Sequence, residues 1–302
     1  MLKTPVLFLI FNRPDTTSKV FEKIRAIKPE RLYIAADGPR PNISSDKEKC
    51  ALARSVVDLI EWDCQVKTLF REANTGCGKG VSDAITWFFT EVEEGIILED
   101  DCVPDNSFFA FCEQLLSYYK NSEKIMHIGG TNFQDANKQY TASYYFSSIA
   151  HVWGWATWKR AWNKYSFDIN GLDDFKKFKK INHYYNDNKI IEYWHSIFDR
   201  MRRHEIDTWD YQWTYSIWNN KGLSIIPKVN LVSNIGFDED ATHTKGSSKF
   251  DNMTTNYIYS IHHPDVITQD READVYTFYH HYSQAAASVP MFKRFLKRIA
   301  NV

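Results

Sequence analysis

The chain has 302 residues, with 37 Lys and Arg against 38 Asp and Glu, so its formal net charge is −1. This balance argues against a protein that binds nucleic acid by general attraction, because such binding needs a strong basic excess. Hydrophobic residues at 43% and charged residues at 25% are typical of a soluble globular chain and exclude disorder, collagen and coiled coil. The aromatic fraction of 16% is unusually high and requires an explanation.

Cysteine usage and hydrophobicity indicate where the protein works. The five cysteines form no C-x-x-C pair, which is typical of reduced thiols in a cytosolic protein. The apolar run over residues 6–11 is too short for a secretion signal, and no run approaches the ~20 residues needed to cross a bilayer. We therefore expect a cytoplasmic protein.

Strand-like and helix-like patterns alternate through the first 130 residues. Strand-like patterns predict four strands over residues 5–11, 32–36, 66–70 and 95–98, and the first, which is continuously apolar, is expected to be covered on both faces. Apolar residues at helical spacing predict a helix after each of the first three strands, with Asp15 and Ser44 as caps of the first two. This alternation predicts an α/β fold with a mostly parallel sheet flanked by helices, in which ligands bind beyond the carboxyl ends of the strands.

The pattern changes after about residue 130. Helices are predicted over residues 153–162, 190–203 and 210–219, a strand over 223–226, and a mobile loop over 236–251. Eight of the ten tryptophans lie between Trp153 and Trp218. Most of these rings are expected in the core, but flat rings with a polar edge also suit the faces of sugars. The second half is therefore predicted to be helical, aromatic-rich and close to an acceptor.

An acidic triplet follows the fourth predicted strand directly. Glu99, Asp100 and Asp101 place carboxylates at a strand end, where they can hold Mn²⁺ or Mg²⁺, hard cations that take oxygen ligands. A solvated acidic turn is the alternative, and the triplet alone leaves both open.

A glycine-rich loop lies between the third strand and the next helix. It contains Arg71, Asn74, Gly76, Gly78 and Lys79. Glycines allow backbone N–H groups to approach a phosphate, the helix N-terminus favours an anion, and the two basic residues would neutralise a diphosphate. The spacing is not that of a Walker motif, so a loop shaped only by its glycines is the alternative.

Asp37 follows the second strand in an Asp-Gly-Pro turn. Its carboxylate would accept a hydrogen bond from the N3–H of a uracil or thymine ring, and an ordinary Asp-Gly turn is the alternative. Taken together, Asp37, the glycine-rich loop and the acidic triplet describe one pocket for a base, a diphosphate and a metal ion.

These motifs resemble a known family. The run Phe11-Asn12-Arg13-Pro14, the Asp37 turn, the loop over 71–80 and the acidic triplet resemble the nucleotide-sugar half of inverting glycosyltransferases with the GT-A fold. The likeness is greatest to the N-acetylglucosaminyltransferase I group and its bacterial relatives; it is good over residues 5–104 and fainter to about 245. It implies that Asp101 is the main Mn²⁺ ligand and that Asp37 contacts uracil.

The same resemblance implies contacts with the rest of the donor. Asn12 and Arg13 would lie beside the nucleotide, and Glu99 and Asp100 would position the ribose or the sugar. His243, in Thr-His-Thr, would close over the diphosphate or ligate the metal ion; an exposed loop histidine is the alternative.

In the second half, residues 152–158 resemble the family's Gly-Trp segment, which places Trp153, Gly154 and Trp155 beside the donor sugar and acceptor. Residues 208–213 resemble the segment that carries the catalytic base. This resemblance implies that Asp210 is the base and that Trp209 flanks it. Helix capping by Asp207, Thr208 or Asp210 is the alternative, and the substitute bases are Asp207 and Asp174.

The tail over residues 286–302 has apolar and basic residues on opposite faces of a predicted helix, which suits peripheral contact with the cytoplasmic face of an anionic inner membrane. A terminal helix docked on the protein with a solvated basic face is the alternative. We therefore predict a nucleotide-sugar half over 1–130, a donor-sugar and acceptor half over 131–285, and this helix.

The resemblance implies metal-dependent, inverting transfer of a hexosyl or N-acetylhexosaminyl group from a UDP-sugar, less readily a dTDP-sugar. The acceptor would be a hydroxyl of a glycan or lipid-linked glycan in bacterial surface polysaccharide synthesis. The alternatives are a sugar nucleotidyltransferase and a non-catalytic carbohydrate-binding protein.

Overall fold

The computed structural model describes residues 1–135, 138–237 and 250–283. The predicted C-terminal amphipathic helix and His243 lie outside these residues, as does most of the loop predicted over 236–251. Within the described ranges, no helix combines the length and the apolar character needed to cross a membrane.

The elements of the described chain follow one another as an α/β alternation that gives way to helices. The strands are β1 Val6–Ile10, β2 Arg31–Ala36, β3 Gln65–Phe70, β4 Glu94–Glu99, β5 Cys102–Pro104, β6 Ile125–Gly129, β7 Tyr144–Ser147, β8 Trp155–Trp158, β9 Leu223–Pro227 and β10 Val232–Asn234. The helices are α1 Pro14–Ile27, α2 Asp46–Arg54, α3 Cys77–Glu91, α4 Asn106–Tyr118, α5 Lys159–Trp162, α6 Leu172–Lys177, α7 Asn188–Arg202, α8 Asp210–Asn219 and α9 Arg271–Thr277.

One large sheet connects both halves of the described chain. Its strand order is β3-β2-β1-β4-β8-β6-β9-β7, and β10 pairs separately with β5. Strands β1 to β4 are parallel to one another, with Val6 opposite Leu32 on one side and Ile96 on the other. Strand β8 is antiparallel to its neighbours β4 and β6, whereas β6 and β9 are parallel. The predicted fold class, an α/β architecture with a mostly parallel central sheet flanked by helices and an aromatic-rich helical second half, is confirmed.

Two predicted helix caps are wrong. Helix α1 begins at Pro14, whose fixed φ and missing N–H suit a first helical position, so Asp15 lies within the first turn instead of capping it. Helix α2 begins at Asp46 after Ser45, and no side chain caps it, so Ser44 lies outside the helix.

The helix predicted over 153–162 is also wrong. Residues 155–158 form β8, a central strand between β4 and β6, and only Lys159–Trp162 are helical. All four residues of β8 are buried, because the sheet is covered on both sides, so polar alternation is absent and the spacing of the tryptophans resembles a helix. The predicted helices over 190–203 and 210–219 are confirmed as α7 and α8.

Aromatic side chains build much of the core beneath the second half. Trp155, Trp158, Trp194, Trp213 and Trp218 are among the largest fully buried side chains. They belong to one apolar cluster that also includes residues of β1, β2 and β4. The expectation that most of the tryptophan rings are core residues is confirmed.

Candidate active site

A cleft of about 230 Å³ opens at the carboxyl ends of β1 to β4. Parallel strands bring these ends to one edge of the sheet, which is where α/β proteins bind ligands. The lining consists of Leu9, Ile10, Phe11, Arg13, Ala35, Asp37, Arg40, Arg71, Asn74, Gly76, Cys77, Gly80, Val81, Ala84, Glu99, Asp100 and Asp207. The cleft therefore gathers residues of all three predicted motifs. Its acidic end lies at β4, where Glu99 and Asp100 are found, and Asp37 lies on the other side of β1, after β2.

Asp37 follows β2 and closes the loop that follows β3. Its Oδ2 accepts the backbone N–H of Thr75 at 2.9 Å, and its Oδ1 accepts the Thr75 hydroxyl at 3.0 Å and the Gly38 N–H at 3.0 Å. Asn74 supports the same loop by donating its amide to the carbonyl of Gly38 at 3.0 Å. Asp37 lines the cleft, and its contact with a uracil ring stays a prediction.

Arg54 holds two strand ends together and was missed from the sequence. Its Nη2 donates to the carbonyl of Asp37 at 3.0 Å and to the carbonyl of Arg71 at 2.6 Å, and its guanidinium lies 5.1 Å from the Phe70 ring centroid. In the sequence, Arg54 at the end of α2 looks like an ordinary solvated charge. Only its position on the inward-facing side of the helix distinguishes it from a surface arginine.

Asp46 is a second supporting residue that the sequence did not reveal. This buried carboxylate accepts Arg40 Nε at 2.6 Å and the Asn12 amide at 2.8 Å. The hydrogen bond from Arg40 holds the pKa of Asp46 down at about 2. Asn12 is itself buried, so its side chain supports the rim of the cleft, where Arg40 packs over the Phe11 ring.

Arg13 neutralises much of the acidic end. Its Nη2 donates to Asp100 Oδ1 at 2.6 Å and to Asp101 Oδ2 at 3.0 Å, while the Phe11 N–H donates to Asp100 Oδ2 at 3.0 Å. Burial raises the pKa of Asp100 to about 6, although the Arg13 charge opposes the shift. Burial and the charges of Asp101 and Asp100 raise the pKa of Glu99 to about 8.

The acidic triplet has the donor chemistry for a divalent cation shared with a ligand. Among the described residues, no three or more His, Cys, Asp or Glu side chains are grouped as a metal cage. Mg²⁺ and similar hard cations commonly use one or two carboxylates together with substrate phosphates, and the oxygens of Glu99, Asp100 and Asp101 fit that requirement. Arg13 forms ion pairs with two of these carboxylates, those of Asp100 and Asp101.

The glycine-rich loop is bound by a carboxylate of this same chain. Asp207 accepts the backbone N–H of Cys77 at 3.0 Å and that of Gly78 at 2.8 Å. These are the amides at the N-terminus of α3 that the sequence predicted would face a diphosphate. From the sequence, Asp207 is predicted only as a substitute base or a cap for the helix after it. A contact between residues about 130 positions apart leaves no local signal in the sequence.

The two basic residues of the loop are placed differently. Arg71 lines the cleft and donates to the carbonyl of Gly80 at 3.1 Å. Lys79 is outside the lining; its ammonium lies 3.3 Å from Asp83 and 5.2 Å from the Phe167 ring centroid. The predicted phosphate contact of Lys79 is corrected, since its position in the first turn of α3 directs it away from the cleft.

Asp210 is the first residue of α8, and its Oδ1 accepts the Thr208 hydroxyl at 2.5 Å. Helix α8 has no side-chain cap, so the capping alternative is not observed. Burial and the charges of Glu99, Asp210 and Asp207 raise the pKa of the Cys77 thiol, which locates Asp210 near the acidic end of the cleft. Asp174, the other substitute base, is exposed at the start of α6 and is not part of the lining.

The aromatic residues predicted to contact sugar divide into two groups. Trp155 and Trp209 are 0% and 2% exposed, and their ring centroids stack 5.4 Å apart, so their predicted sugar contact is corrected to packing. Trp153 is partly exposed beside Phe133 and Phe237. Gly154 has φ +64°, and a Cβ there would lie 2.8 Å from Val232, so glycine is required at the turn beside Trp153.

Comparison with known proteins gives no family. No family model matches the chain, and no curated protein matches it. Among solved structures, residues 1–349 of TarS from S. aureus match at a TM-score of 0.42 and 10% identity, over 76% of this chain and 60% of that one. HddC from Yersinia pseudotuberculosis matches at a TM-score of 0.31 and 9% identity, over 52% of this chain and 77% of that one. Similarities of this size identify neither a family nor an activity.

Proposed function

We propose that this chain is a glycosyltransferase that moves a sugar from a nucleoside diphosphate sugar to a hydroxyl group, with inversion at the anomeric carbon. The observation that carries the proposal is one cleft at the strand ends that brings apolar side chains together with Asp37 and an acidic end. Asp37 follows β2, Glu99 and Asp100 form the acidic end at β4 on the other side of β1, and Asp210 lies close to the acidic end.

The apolar part of the lining suits a planar base. Leu9, Phe11 and Ala35 supply apolar surface in the cleft, and Asp37 would supply the carboxylate that recognises an N–H on the edge of a pyrimidine. Arg71 lines the same cleft after β3, where its guanidinium would stabilise phosphate oxygens. A pyrimidine nucleoside diphosphate therefore matches the groups that the cleft brings together, and UDP is the form we favour over dTDP.

Catalysis would use Asp210 as the general base. Its carboxylate takes the proton of the acceptor hydroxyl, the acceptor oxygen attacks the anomeric carbon, and the bond from that carbon to the diphosphate oxygen breaks. The nucleoside diphosphate leaves with the bonding electron pair. A divalent cation held by Asp101 with Glu99 and Asp100 would supply neutralisation of the leaving diphosphate. Arg13 holds Asp100 and Asp101 in place in the described structure.

The finer assignments follow the sequence resemblance. We propose a hexosyl or N-acetylhexosaminyl transferase related to the N-acetylglucosaminyltransferase I group, acting in the cytoplasm on a glycan or lipid-linked glycan acceptor. Mn²⁺ is the proposed cation, with Mg²⁺ as its substitute, and surface polysaccharide synthesis in bacteria is the proposed setting.

Calorimetric titration with UDP-sugars tests the proposal, after a thermal-shift screen has selected the sugar. We expect binding that strengthens when Mn²⁺ is present and that weakens in Asp101→Ala. Asp63→Ala, an exposed aspartate outside the cleft, is the matched control and should bind like the native chain. Affinity for neither UDP nor UDP-sugars would remove the proposal and favour the carbohydrate-binding alternative.

Product analysis separates the two enzyme classes. A glycosyltransferase releases UDP from a UDP-sugar when an acceptor is supplied. A sugar nucleotidyltransferase instead makes a nucleotide sugar and pyrophosphate from a nucleoside triphosphate and a sugar phosphate. Formation of pyrophosphate would support the second class and contradict the first.

A further inference from the structure

Asp207 joins two segments that lie far apart in the sequence. Its two carboxylate oxygens accept the N–H groups of Cys77 and Gly78, the first two residues of α3. A carboxylate at a helix N-terminus satisfies N–H groups that have no partner within the helix and interacts favourably with the helix dipole. Helix α3 has no other side-chain cap, since Gly76 precedes it.

The glycines of the loop make room for this contact. A Cβ at Gly76 would lie 2.8 Å from Asp207 Oδ2, and Gly76 also adopts φ +84°. A Cβ at Gly78 would lie 2.8 Å from the Thr208 carbonyl oxygen and 2.9 Å from Asp207 Oδ1. Gly76 and Gly78 thus accommodate the close approach of residues 207–208. In the sequence, the same two glycines resembled part of a phosphate-binding loop.

The other end of the same segment is fixed in the core. Trp209 is 2% exposed and stacks on Trp155 of β8. Asp210 follows directly, and its carboxylate accepts the Thr208 hydroxyl. Asp210 therefore follows two anchored residues, Asp207 on α3 and Trp209 on the central sheet.

We propose that Asp207 is a positioning residue that locks the 207–210 segment, and with it Asp210, onto the first turn of α3. The catalytic consequence rests on the proposed function, because it assumes that Asp210 is the base. The lock itself is a property of the fold. Its two hydrogen bonds give the Asp207 carboxylate a structural role in the fold.

The experiment compares Asp207→Ala and Asp207→Asn with the native chain and with Asp174→Asn as an exposed control. Alanine removes both acceptors, whereas asparagine keeps one oxygen and the shape of the side chain. Hydrogen exchange is measured by mass spectrometry on peptides that cover residues 75–82 and 205–214. We expect faster exchange in both peptides for Asp207→Ala, a smaller increase for Asp207→Asn and no change for the control.

Kinetics with the UDP-sugar selected by the binding screen give the second readout. We expect kcat to fall about 10-fold to 100-fold in Asp207→Ala, since a small displacement of a reacting group has effects of that size. The KM for the UDP-sugar should stay within about twofold, and Asp207→Asn should recover part of kcat. A loss of overall fold alone would not give this graded split between kcat and KM.

Two results would overturn the proposal. Unchanged exchange in both peptides would show that Asp207 locks neither segment. Tighter UDP binding in Asp207→Ala would show that the Cys77 and Gly78 amides serve the diphosphate and that Asp207 competes with it. If the native chain transfers no sugar while exchange responds as expected, the proposed function fails and the lock stands.

Discussion

The two halves of the described chain use the same sheet in opposite ways. In the first half, the strands β1, β2 and β4 are largely apolar and buried, and polar residues stand at their ends, where Asp37 and Glu99 line the cleft. In the second half, the large side chains lie within the sheet itself, as in β8, where Trp155 is fully buried. Position relative to a strand end therefore predicts exposure to the cleft better than residue type does.

Trp153 and Trp155 show the difference over a distance of two residues. Trp155 lies in β8 between two other strands, and its ring packs on Trp209 and Trp213. Trp153 precedes the strand, beyond the turn at Gly154, and keeps part of its surface exposed. We expect variants at the first residue to alter ligand binding and variants at the second to alter stability.

The largest expected effect is on catalysis, at the junction of the two halves. Asp210→Asn removes the proposed base without changing the size of the side chain, so we expect kcat to fall by about 10²–10⁴. Affinity for UDP should be retained, because the proposed nucleotide site is built by the first half. Steady-state kinetics and calorimetry on the same preparation measure both quantities. Near-native turnover would show that another group takes the proton; Asp174→Asn is the matched control.

The next effect is on stability. Trp155→Ala removes a fully buried indole from a central strand, and we expect the free energy of unfolding to fall by about 3–5 kcal/mol. Trp153→Ala, at a partly exposed position, should cost much less and act mainly on the acceptor KM. Denaturant unfolding compares the two. Equal losses of stability would contradict the division between core and cleft.

The sequence predicted much of the first half because its signals are local. The four strands predicted from local sequence patterns are the four parallel strands β1 to β4. Residues at the ends of these strands, including Asp37 and Glu99, meet in the cleft. Parallel strands end at the same edge, so chain order and strand direction were sufficient to bring these residues together.

Residues whose role depends on a distant partner were not predictable in the same way. Arg54 and Asp46 resemble solvated helix charges until the strand ends are placed beside them. Lys79 resembles a phosphate ligand, but the rotation of the first turn of α3 sends it to Asp83. In β8, burial on both faces removed the alternation that marks a strand. In each case, tertiary packing determines the environment of the side chain, and the local sequence pattern does not reveal that environment.

A smaller effect is expected where the first half is tied together. Arg54→Lys keeps the positive charge but loses the paired contacts to the carbonyls of Asp37 and Arg71. We expect the free energy of unfolding to fall by about 1–2 kcal/mol and UDP affinity to weaken with it, because both carbonyls belong to cleft residues. Arg25→Lys, at an exposed ion pair, is the matched control. Unchanged UDP affinity would show that the strand ends keep their spacing without Arg54.

The smallest expected effect is a pH dependence of the second half. Burial lowers the pKa of His127 to about 3, and His127 is neutral in the fold, where its Nδ1 accepts the Trp213 indole N–H at 3.2 Å. An unfolded histidine titrates near 6.5, so between pH 6.5 and 3 the unfolded chain binds the extra proton and stability falls as the pH falls. Between pH 7 and 5.5 this histidine should cost about 1 kcal/mol.

Denaturant unfolding at a series of pH values measures that slope. His127→Gln removes the titrating group while keeping polar atoms in the cavity, so the decline in stability below pH 6.5 should become shallower. Part of the slope should remain, because burial also lowers the pKa of His151 to about 4. An identical slope in the variant would mean that His127 takes up its proton equally in the folded and unfolded chains, which the indole donor and the aromatic surroundings of this half oppose.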